Sequence, residues 1–273
     1  MRAWRWRYFY PPTVHPPGLF PAMMIGYMVN NVLPLRAGEF VRVYVVARRW
    51  RGRFWTVAAT LIVERVLDSV CIVLILGVLI FLVDVPRQVE IAAGVILAID
   101  VVGISLLVAI AAAPDRCRVV LLKIAARWPS IRERALRMFD MFLHGLDGIR
   151  TARHLPALFA TTILVWILPA AAAWAGLRAA GLHLPLLAGW VLVAFVGIGV
   201  SIPSAPGYVG VFHFAAVKAV ELFGVPETIG LGFAIVFHVS QVVPVTLTGW
   251  LYLVREHLTL SEARAGSGVA EGS

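Results

Sequence analysis

Long apolar runs separated by short polar segments divide the sequence. Six runs carry few or no charged residues: 19–35, 54–83, 91–113, 155–177, 184–217 and 228–254. A helix needs about 20 apolar residues to cross a bilayer. The second, third, fourth and sixth runs meet this length, and the fifth is long enough for one span plus a segment of about 15 residues. The pattern predicts an all-α, polytopic helical membrane protein with about five full spans.

Prolines and glycines interrupt two of these runs. Pro21 and Pro34 break the first, which is short and has basic residues on both sides. Pro203, Pro206 and Gly207 break the fifth. Irregular backbone at membrane depth persists only where protein buries it or where it lines a wet cavity. We therefore expect two Pro/Gly-broken re-entrant segments that dip into the bilayer and return.

The two broken segments align with each other at a shift of 169 residues. The Leu-Pro pair at 33–34 then coincides with the Ile-Pro pair at 202–203, and Gly38 coincides with Gly207. Interrupted segments at matching places in two halves are typical of transporters built from repeats. Three matched positions make an internal repeat a hypothesis rather than a result.

Composition agrees with the membrane class. The chain of 273 residues is 60% hydrophobic and 14% charged, and its mean hydropathy is +0.87. Soluble domains are about 45–50% apolar and about 25% charged. A single soluble core could not bury this much apolar surface, because a globular fold of this size still needs a polar shell.

The net charge of +9 is concentrated in three basic stretches: residues 2–7, 36–53 and 116–153. Under the positive-inside rule, loops 36–53 and 116–153 are predicted to be cytoplasmic, and the short segment 84–90 lies outside. Such clusters also occur in nucleic-acid-binding proteins, but no nucleic-acid motif accompanies them here, so we expect no nucleic acid partner.

The polar segments set the predicted domain boundaries. Residues 1–18 form a basic and aromatic N-terminal segment, 19–260 the transmembrane domain, and 261–273 a disordered tail. Within the domain, residues 115–154 are predicted to be a cytoplasmic amphipathic connector, because leucines recur there at helical spacing opposite basic positions. That pattern suits both a helix on the membrane surface and an ordinary connector.

The first candidate site follows the break at Pro34. Because Pro34 lacks a backbone donor and Gly38 permits unusual dihedral angles, a helix should end and restart here. Glu39 then lies near a new helix N-terminus, where negative charge is favoured, and Arg36 and Arg42 offer donors to a phosphate. A plain interfacial turn with a snorkelling arginine is the alternative.

The second candidate site is a charged trio within the second apolar run. Helical geometry places Glu64 and Asp68 on one face, with Arg65 three residues before Asp68. Inside a bilayer such residues pair with one another or face a polar cavity, and the sequence leaves both open. Asp100, in the middle of the third run, is a further functional candidate, although an interhelical hydrogen bond would also explain it.

The third candidate site is the turn that contains Pro206, Gly207 and Gly210. Backbone amides after Gly207 are predicted to point along the N-terminus of a new helix, which is an anion-binding arrangement. No nucleophile, phosphate-loop or dinucleotide motif is present, and the histidines of the second half are too scattered for a metal site. We expect no catalytic residue, no metal and no cofactor.

Taken together, three blocks resemble one family. They are Asn31…Leu33-Pro34…Arg36…Gly38-Glu39…Arg42, then Glu64-Arg65…Asp68, then Pro203…Pro206-Gly207…Gly210-Val211-Phe212. Over about residues 26–260 the sequence resembles the transmembrane region of lysylphosphatidylglycerol synthases and related flippase-like integral membrane proteins. The resemblance implies a bacterial or archaeal inner-membrane protein that moves a polar lipid between leaflets, or helps to do so. It implies these lipid-headgroup-binding residues: Arg36, Glu39, Arg42, Glu64, Arg65, Asp68, Pro206, Gly207 and Gly210.

The sequence departs from that family at three points. Members usually have further transmembrane helices before the first block, whereas 25 residues precede position 26 here, so the resemblance implies a shortened start. The third block often ends in glutamate, and His213 takes that place. No aminoacyltransferase domain follows in the sequence given, so lysyl transfer is not implied and we expect no enzymatic activity.

These features favour a flippase-like carrier of an anionic or polyprenyl-linked lipid in the inner or plasma membrane. One alternative is a membrane-embedded transferase, or an accessory subunit in lipid or glycan biosynthesis, with Glu64, Asp68 or Asp100 as its base. Another is an ion-coupled transporter of a small anion. The expected partners are membrane lipids, together with a lipid- or glycan-modifying enzyme.

Overall fold

The computed structural model describes residues 1–34, 36–50, 53–126, 129–148, 154–201 and 204–256. Within these ranges the chain forms helices and no strand, which confirms the all-α prediction. The α-helices are α1 (Arg2–Arg7), α2 (Leu19–Val32), α3 (Gly38–Arg49), α4 (Phe54–Leu79), α5 (Arg87–Ala112), α6 (Pro114–Ala125), α7 (Pro129–Leu146), α8 (Leu155–Ala179), α9 (Leu186–Ser201), α10 (Val211–Glu221) and α11 (Glu227–Arg255). The predicted tail, 261–273, lies outside the described residues.

Three of the described helices, α5, α8 and α11, are long and apolar enough to cross a membrane. Helix α4 has 26 residues, but it carries Glu64, Arg65 and Asp68 near its middle. Helix α9 is apolar over 16 residues. A polytopic helical membrane protein is therefore confirmed in outline, while the count of five spans and the two re-entrant segments stay predictions.

Helices α2 and α3 form an antiparallel hairpin across the break at Pro34. The Gly38 N–H donates to the side-chain oxygen of Asn30 at 2.8 Å. A Cβ on Gly38 would lie 1.8 Å from the carbonyl oxygen of Gly26, so the two backbones touch at these glycines. Small residues allow membrane helices to approach this closely. The hairpin therefore depends on Gly38 for proximity.

The unusual backbone conformation that was expected at Gly38 occurs at Arg36 instead. Arg36 has a φ of 56°, in the left-handed region, whereas Gly38 is already the first residue of α3. A non-glycine residue in this region costs about 1–3 kcal/mol and persists only where its surroundings fix it. The break thus orients the Arg36 side chain at the expense of local strain.

Replacing Gly38 with alanine is expected to destabilise the protein by about 1–3 kcal/mol or more, because a methyl group overlaps the Gly26 carbonyl. The matched control is Gly94→Ala on α5, where nothing lies within 4 Å of an added Cβ. That change should be neutral or stabilising, since alanine favours a helix by about 0.5–1 kcal/mol over glycine. Thermal unfolding of the purified variants in detergent measures both. Equal unfolding midpoints for the two variants would show that the α2–α3 hairpin accommodates the added methyl group without loss of stability.

A second helical pair, α9 and α10, is joined by a segment containing a 3-10 turn at Pro206–Tyr208. Helix α11 packs against both α2 and α10, and α4 packs against both α3 and α9. The 3-10 turn lies against the end of α2, where a Cβ on Gly207 would be 3.3 Å from the carbonyl oxygen of Asn31. The two interrupted segments of the sequence therefore meet in the fold.

The N-terminal segment packs into the helical bundle. Trp6, Phe9 and Tyr10 are buried in a core shared with α2, α3 and α4. The Trp6 indole N–H donates to the Thr60 hydroxyl of α4 at 3.0 Å. Helix α1 also packs against α2 and α8. This burial brings the first arginines of the chain to the middle of α4.

The basic connector forms the helix pair α6 and α7. The two helices pack against each other, and α7 packs against α4, where the Thr56 hydroxyl donates to the Met141 carbonyl at 2.9 Å. Because Thr56 lies at the start of α4, the connector and the basic end of α3 occupy the same end of the α4–α5 hairpin. The predicted topology requires these two basic segments to lie at the same end.

Candidate functional site

The site is built around two carboxylates one turn apart on α4. Glu64 is fully buried and has three arginine partners. Arg42 of α3 donates to it, Arg65 donates at 2.8 Å, and Arg5 of α1 donates at 3.4 Å. The Trp6 ring covers the Arg42 guanidinium at 4.5 Å. Glu64 is therefore held by arginines from α1, from α3 and from its own helix, α4.

Asp68 occupies the next turn and has its own arginines. Arg5 and Arg2 of α1 each approach it at 2.6 Å, and Arg65 lies at 3.4 Å. Burial by itself lowers the pKa of the Arg2 guanidinium, but the Asp68 carboxylate raises it and the net pKa lies above the ordinary value. Arg2 therefore stays charged beside Asp68.

Glu39, in the first turn of α3, completes the network through Arg42 and Arg65, both at 3.6 Å. Four guanidinium groups thus face three carboxylates, which leaves one excess positive charge. The arginines of the network differ in exposure. Arg5 and Arg42 are buried, whereas the Arg2 and Arg65 side chains are 30% and 31% exposed. The excess charge therefore faces outward through Arg2 and Arg65.

These two arginines open onto a cavity of about 1110 Å³. Arg36 and Asp68 also line it, and most of its other walls are apolar side chains from α4, α5, α8 and α9. A smaller cavity of about 310 Å³ has Arg2, Arg36 and Arg65 in common with it. Arg36 raises the positive excess at this position to two charges. The arrangement combines a cationic wall with an apolar chamber.

Several guanidinium donors of this wall have no partner. The buried Nε–H groups of Arg36 and Arg65 have no hydrogen-bond acceptor among the described residues. A buried donor without an acceptor costs about 1–3 kcal/mol. Arginine pairs with phosphate through parallel N–H bonds. A phosphate at this wall would satisfy these buried donors if the two guanidinium groups turned toward the cavity.

The turn that contains Pro206, Gly207 and Gly210, the third predicted site, differs from the anion-binding arrangement that the sequence indicated. Tyr208, with a φ of 58°, lines the smaller cavity together with Arg36. Gly207 is buried against α2, whereas Pro206 and Gly210 are exposed and line neither cavity. The Gly210 N–H donates to His213 Nδ1 at 3.2 Å, so this amide is not free for an anion. The new helix begins only at Val211.

A histidine pair adjoins this turn. His213 Nε2 and His238 Nδ1 are 3.2 Å apart, and the Phe212 ring stacks on His238 with centroids 4.3 Å apart. His238 lines the smaller cavity. The two histidines are 25 positions apart in the sequence, so spacing rules did not reveal this contact. The pair fixes the turn between α9 and α10 to α11.

The sequence model of the family described as Lysylphosphatidylglycerol synthase TM region matches residues 1–249. The chain belongs to this family. Searches of curated proteins and of solved structures found no match. The family match confirms the resemblance and places the protein among membrane proteins of lipid-related processes. It also begins at residue 1, so it includes α1 and its arginines.

Within this member of the lysylphosphatidylglycerol synthase transmembrane-region family, the structure brings together the predicted residues Arg36, Glu39, Arg42, Glu64, Arg65 and Asp68. Sequence reasoning missed Arg2 and Arg5, although a signal was present. Positions three apart lie on one helix face, so Arg2 and Arg5 of a short helix must point the same way. These arginines alternate with tryptophans along the chain. The pattern indicates a helix that contacts both charged groups and apolar surface.

Proposed function

We propose that this protein translocates an anionic or polyprenyl-linked lipid between leaflets, or assists that translocation. The observation that carries the proposal is the cationic wall of the large cavity, where Arg2, Arg36 and Arg65 line a chamber whose other walls are mostly apolar. A phosphate would bind at Arg2, Arg36 and Arg65, while the lipid tails stay against apolar surface. Such a carrier has no bond to make or break.

The ion pairs made by the two buried acidic residues support a carrier rather than a transferase. Glu64 and Asp68 each lie in ion-pair contact with three arginines, which stabilise the ionised carboxylates and make them poor proton acceptors. A general base needs an oxygen free to accept a proton from substrate. These carboxylates instead position the arginines. Ionised, they also keep most of the buried positive charge compensated.

The proposed path runs between the two interrupted segments. Helices α2 and α3, with 14 and 12 residues, would be about 21 and 18 Å long, shorter than a hydrocarbon core of about 30 Å. A hairpin of that size enters the bilayer and returns. Its end touches the 3-10 turn at Gly207. The polar path would therefore pass Arg36 and Tyr208 at this meeting point.

Purified protein reconstituted into vesicles with leaflet-labelled phosphatidylglycerol and a labelled polyprenyl phosphate tests the proposal. We expect leaflet exchange of at least one of these lipids without chemical change, above the rate of protein-free vesicles. A chemically modified lipid would favour the transferase alternative instead. Uptake of a soluble anion without lipid exchange would favour the small-anion transporter.

The proposal places loops 36–53 and 116–153 in the cytoplasm of a cell whose inner or plasma membrane holds the protein. In a chain whose native Cys71 and Cys117 have been replaced, a cysteine at Arg134 should resist an impermeant thiol reagent in intact cells. A cysteine at Arg87, in the first turn of α5, should react. Labelling at position 134 but not at 87 would reverse the orientation.

A further inference from the structure

Helix α5 directs one acidic side chain into the large cavity. Of its 26 residues, only Ala93 and Asp100 are buried, and most of its large apolar side chains are exposed. Asp100 is 4% exposed and lines the same cavity as Arg2, Arg65 and Asp68. A helix that otherwise faces lipid therefore turns its mid-span carboxyl inward.

Asp100 lacks the partners that the other buried acids have. The described residues include no arginine, lysine or histidine in ion-pair contact with it, in contrast to Glu64 and Asp68. Its Oδ1 meets the Ser69 hydroxyl, and its buried Oδ2 has no hydrogen-bond partner in the described part of the chain. An ionised carboxylate without a counter-ion is far more costly to bury than a neutral carboxyl group.

The donors and acceptors around Ser69 match a neutral Asp100 carboxyl group. The Ser69 oxygen lies 3.0 Å from the Arg65 carbonyl and 3.1 Å from the Val66 carbonyl, besides its contact with Asp100. One hydroxyl hydrogen can serve only one of these acceptors. When Asp100 is protonated, its O–H donates to Ser69, and Ser69 donates to a carbonyl of its own helix. Both hydrogens are then used.

We propose that Asp100 is the proton-binding site of the large cavity: its neutral form binds an anionic ligand, and molecules in which Asp100 is ionised take up a proton as the anion enters. The step is COO⁻ + H⁺ → COOH, with no other bond changed. An ionised Asp100 would repel an anion held at Arg2 and Arg65, so anion and proton favour each other's binding to the same extent. Only the identity of that anion as a lipid rests on the function proposed above.

The charged neighbours of Asp100 are defined. From α4 come Arg65 and Asp68, from α1 comes Arg2, and Arg36 precedes α3. Met1, which carries the amino group of the chain, also lines the cavity. The linings from α8, α9 and α11 contribute no titratable side chain. Helices α6 and α7 also contact α5, but none of their residues lines the cavity. The four charged side chains sum to +2, and the Met1 amino group can only add positive charge, so an anion still binds when Asp100 is neutral.

Infrared spectroscopy of the full chain in lipid nanodiscs tests the proton site directly. The wild-type protein should show a protonated-carboxyl carbonyl band that Asp100→Asn lacks and that Ser69→Ala shifts, because the hydrogen bond to Ser69 is lost. The control Asp84→Asn, at the exposed turn before α5, should retain the band unchanged. If Asp100→Asn fails to fold, the Ser69→Ala shift alone decides. A band unaffected by both changes would overturn the proposal.

Binding of labelled phosphatidylglycerol between about pH 5 and pH 9 tests the linkage. Wild-type affinity should fall with rising pH by up to about tenfold per pH unit, the limit for one linked proton. Asp100→Asn should bind with the affinity of the wild type at low pH and lack the part of the pH dependence that Asp100 contributes. An unchanged pH dependence in that variant would overturn the linkage. Intact linkage in a protein that shows no leaflet exchange would uphold this inference and remove the proposed function.

Discussion

Replacing Glu64 with glutamine is expected to lower the free energy of unfolding by about 3–5 kcal/mol, the usual cost of removing one partner of a buried ion pair. Glu64 is fully buried, and Arg5 and Arg42 beside it are buried as well. A neutral amide would leave their positive charges insufficiently compensated in a medium of low polarizability. Unfolding of the purified protein in detergent, followed by helicity, measures the loss.

The matched control is Glu133→Gln on α7. Glu133 is paired with Arg137 at 3.6 Å, but both side chains are largely exposed. Exposed pairs of this kind contribute about 0.3–0.5 kcal/mol. A loss at position 64 no larger than that at position 133 would show that water reaches the network and compensates it.

The helices could be predicted from the sequence because their signals are local. The run 228–254 became α11, Glu227–Arg255, and the run 155–177 became α8, Leu155–Ala179. Apolar length and the flanking prolines fix such boundaries without knowledge of neighbours. The prediction gave the wrong reason for Gly38. The glycine is required because two backbones approach each other closely there, whereas the unusual φ lies at Arg36. Contacts between helices decide which role a glycine has.

The candidate site could be predicted only where it is contained in one helix. Glu64 and Asp68 share a face by helical spacing, but 59 residues separate Arg5 from Glu64, and no periodicity links them. The same holds for His213 and His238, which meet only because α11 packs on α10. Long-range pairing depends on tertiary packing, which a single sequence does not encode in any local pattern.

The sequence left open whether the trio on α4 pairs internally or faces a cavity, and the structure contains both features. Arg65 is paired with Glu64 and Asp68, yet 31% of its side chain is exposed at the cavity wall. A residue in that position can neutralise buried acids and still present the exposed part of its side chain to a ligand. Which role matters more is a question for substitution.

Replacing Arg65 with lysine should reduce lipid exchange about tenfold or more while leaving folded yield largely intact. Lysine keeps the positive charge near Glu64 and Asp68, but it cannot offer the planar fork that pairs with phosphate. Loss of one hydrogen bond to a charged group costs about 1.5–3 kcal/mol, and about 1.4 kcal/mol corresponds to tenfold. The control Arg118→Lys alters an exposed pair with Asp140 and should leave exchange unchanged. Equal exchange in both variants would contradict a role in headgroup binding.

A double-mutant cycle on Arg65 and Asp68 separates the two roles. Arg65→Gln alone and Asp68→Asn alone should each lower folded yield, because the first removes an ion-pair partner of Glu64 and Asp68 and the second raises the excess positive charge of the network. Together they restore the charge balance, so yield should recover in part; recovery stays incomplete because Arg2 and Arg5 lose Asp68 as a partner. Exchange should not recover, since the guanidinium is absent. Recovery of both yield and exchange would show that Arg65 and Asp68 serve the fold alone, and the headgroup site would then rest on Arg2 and Arg36.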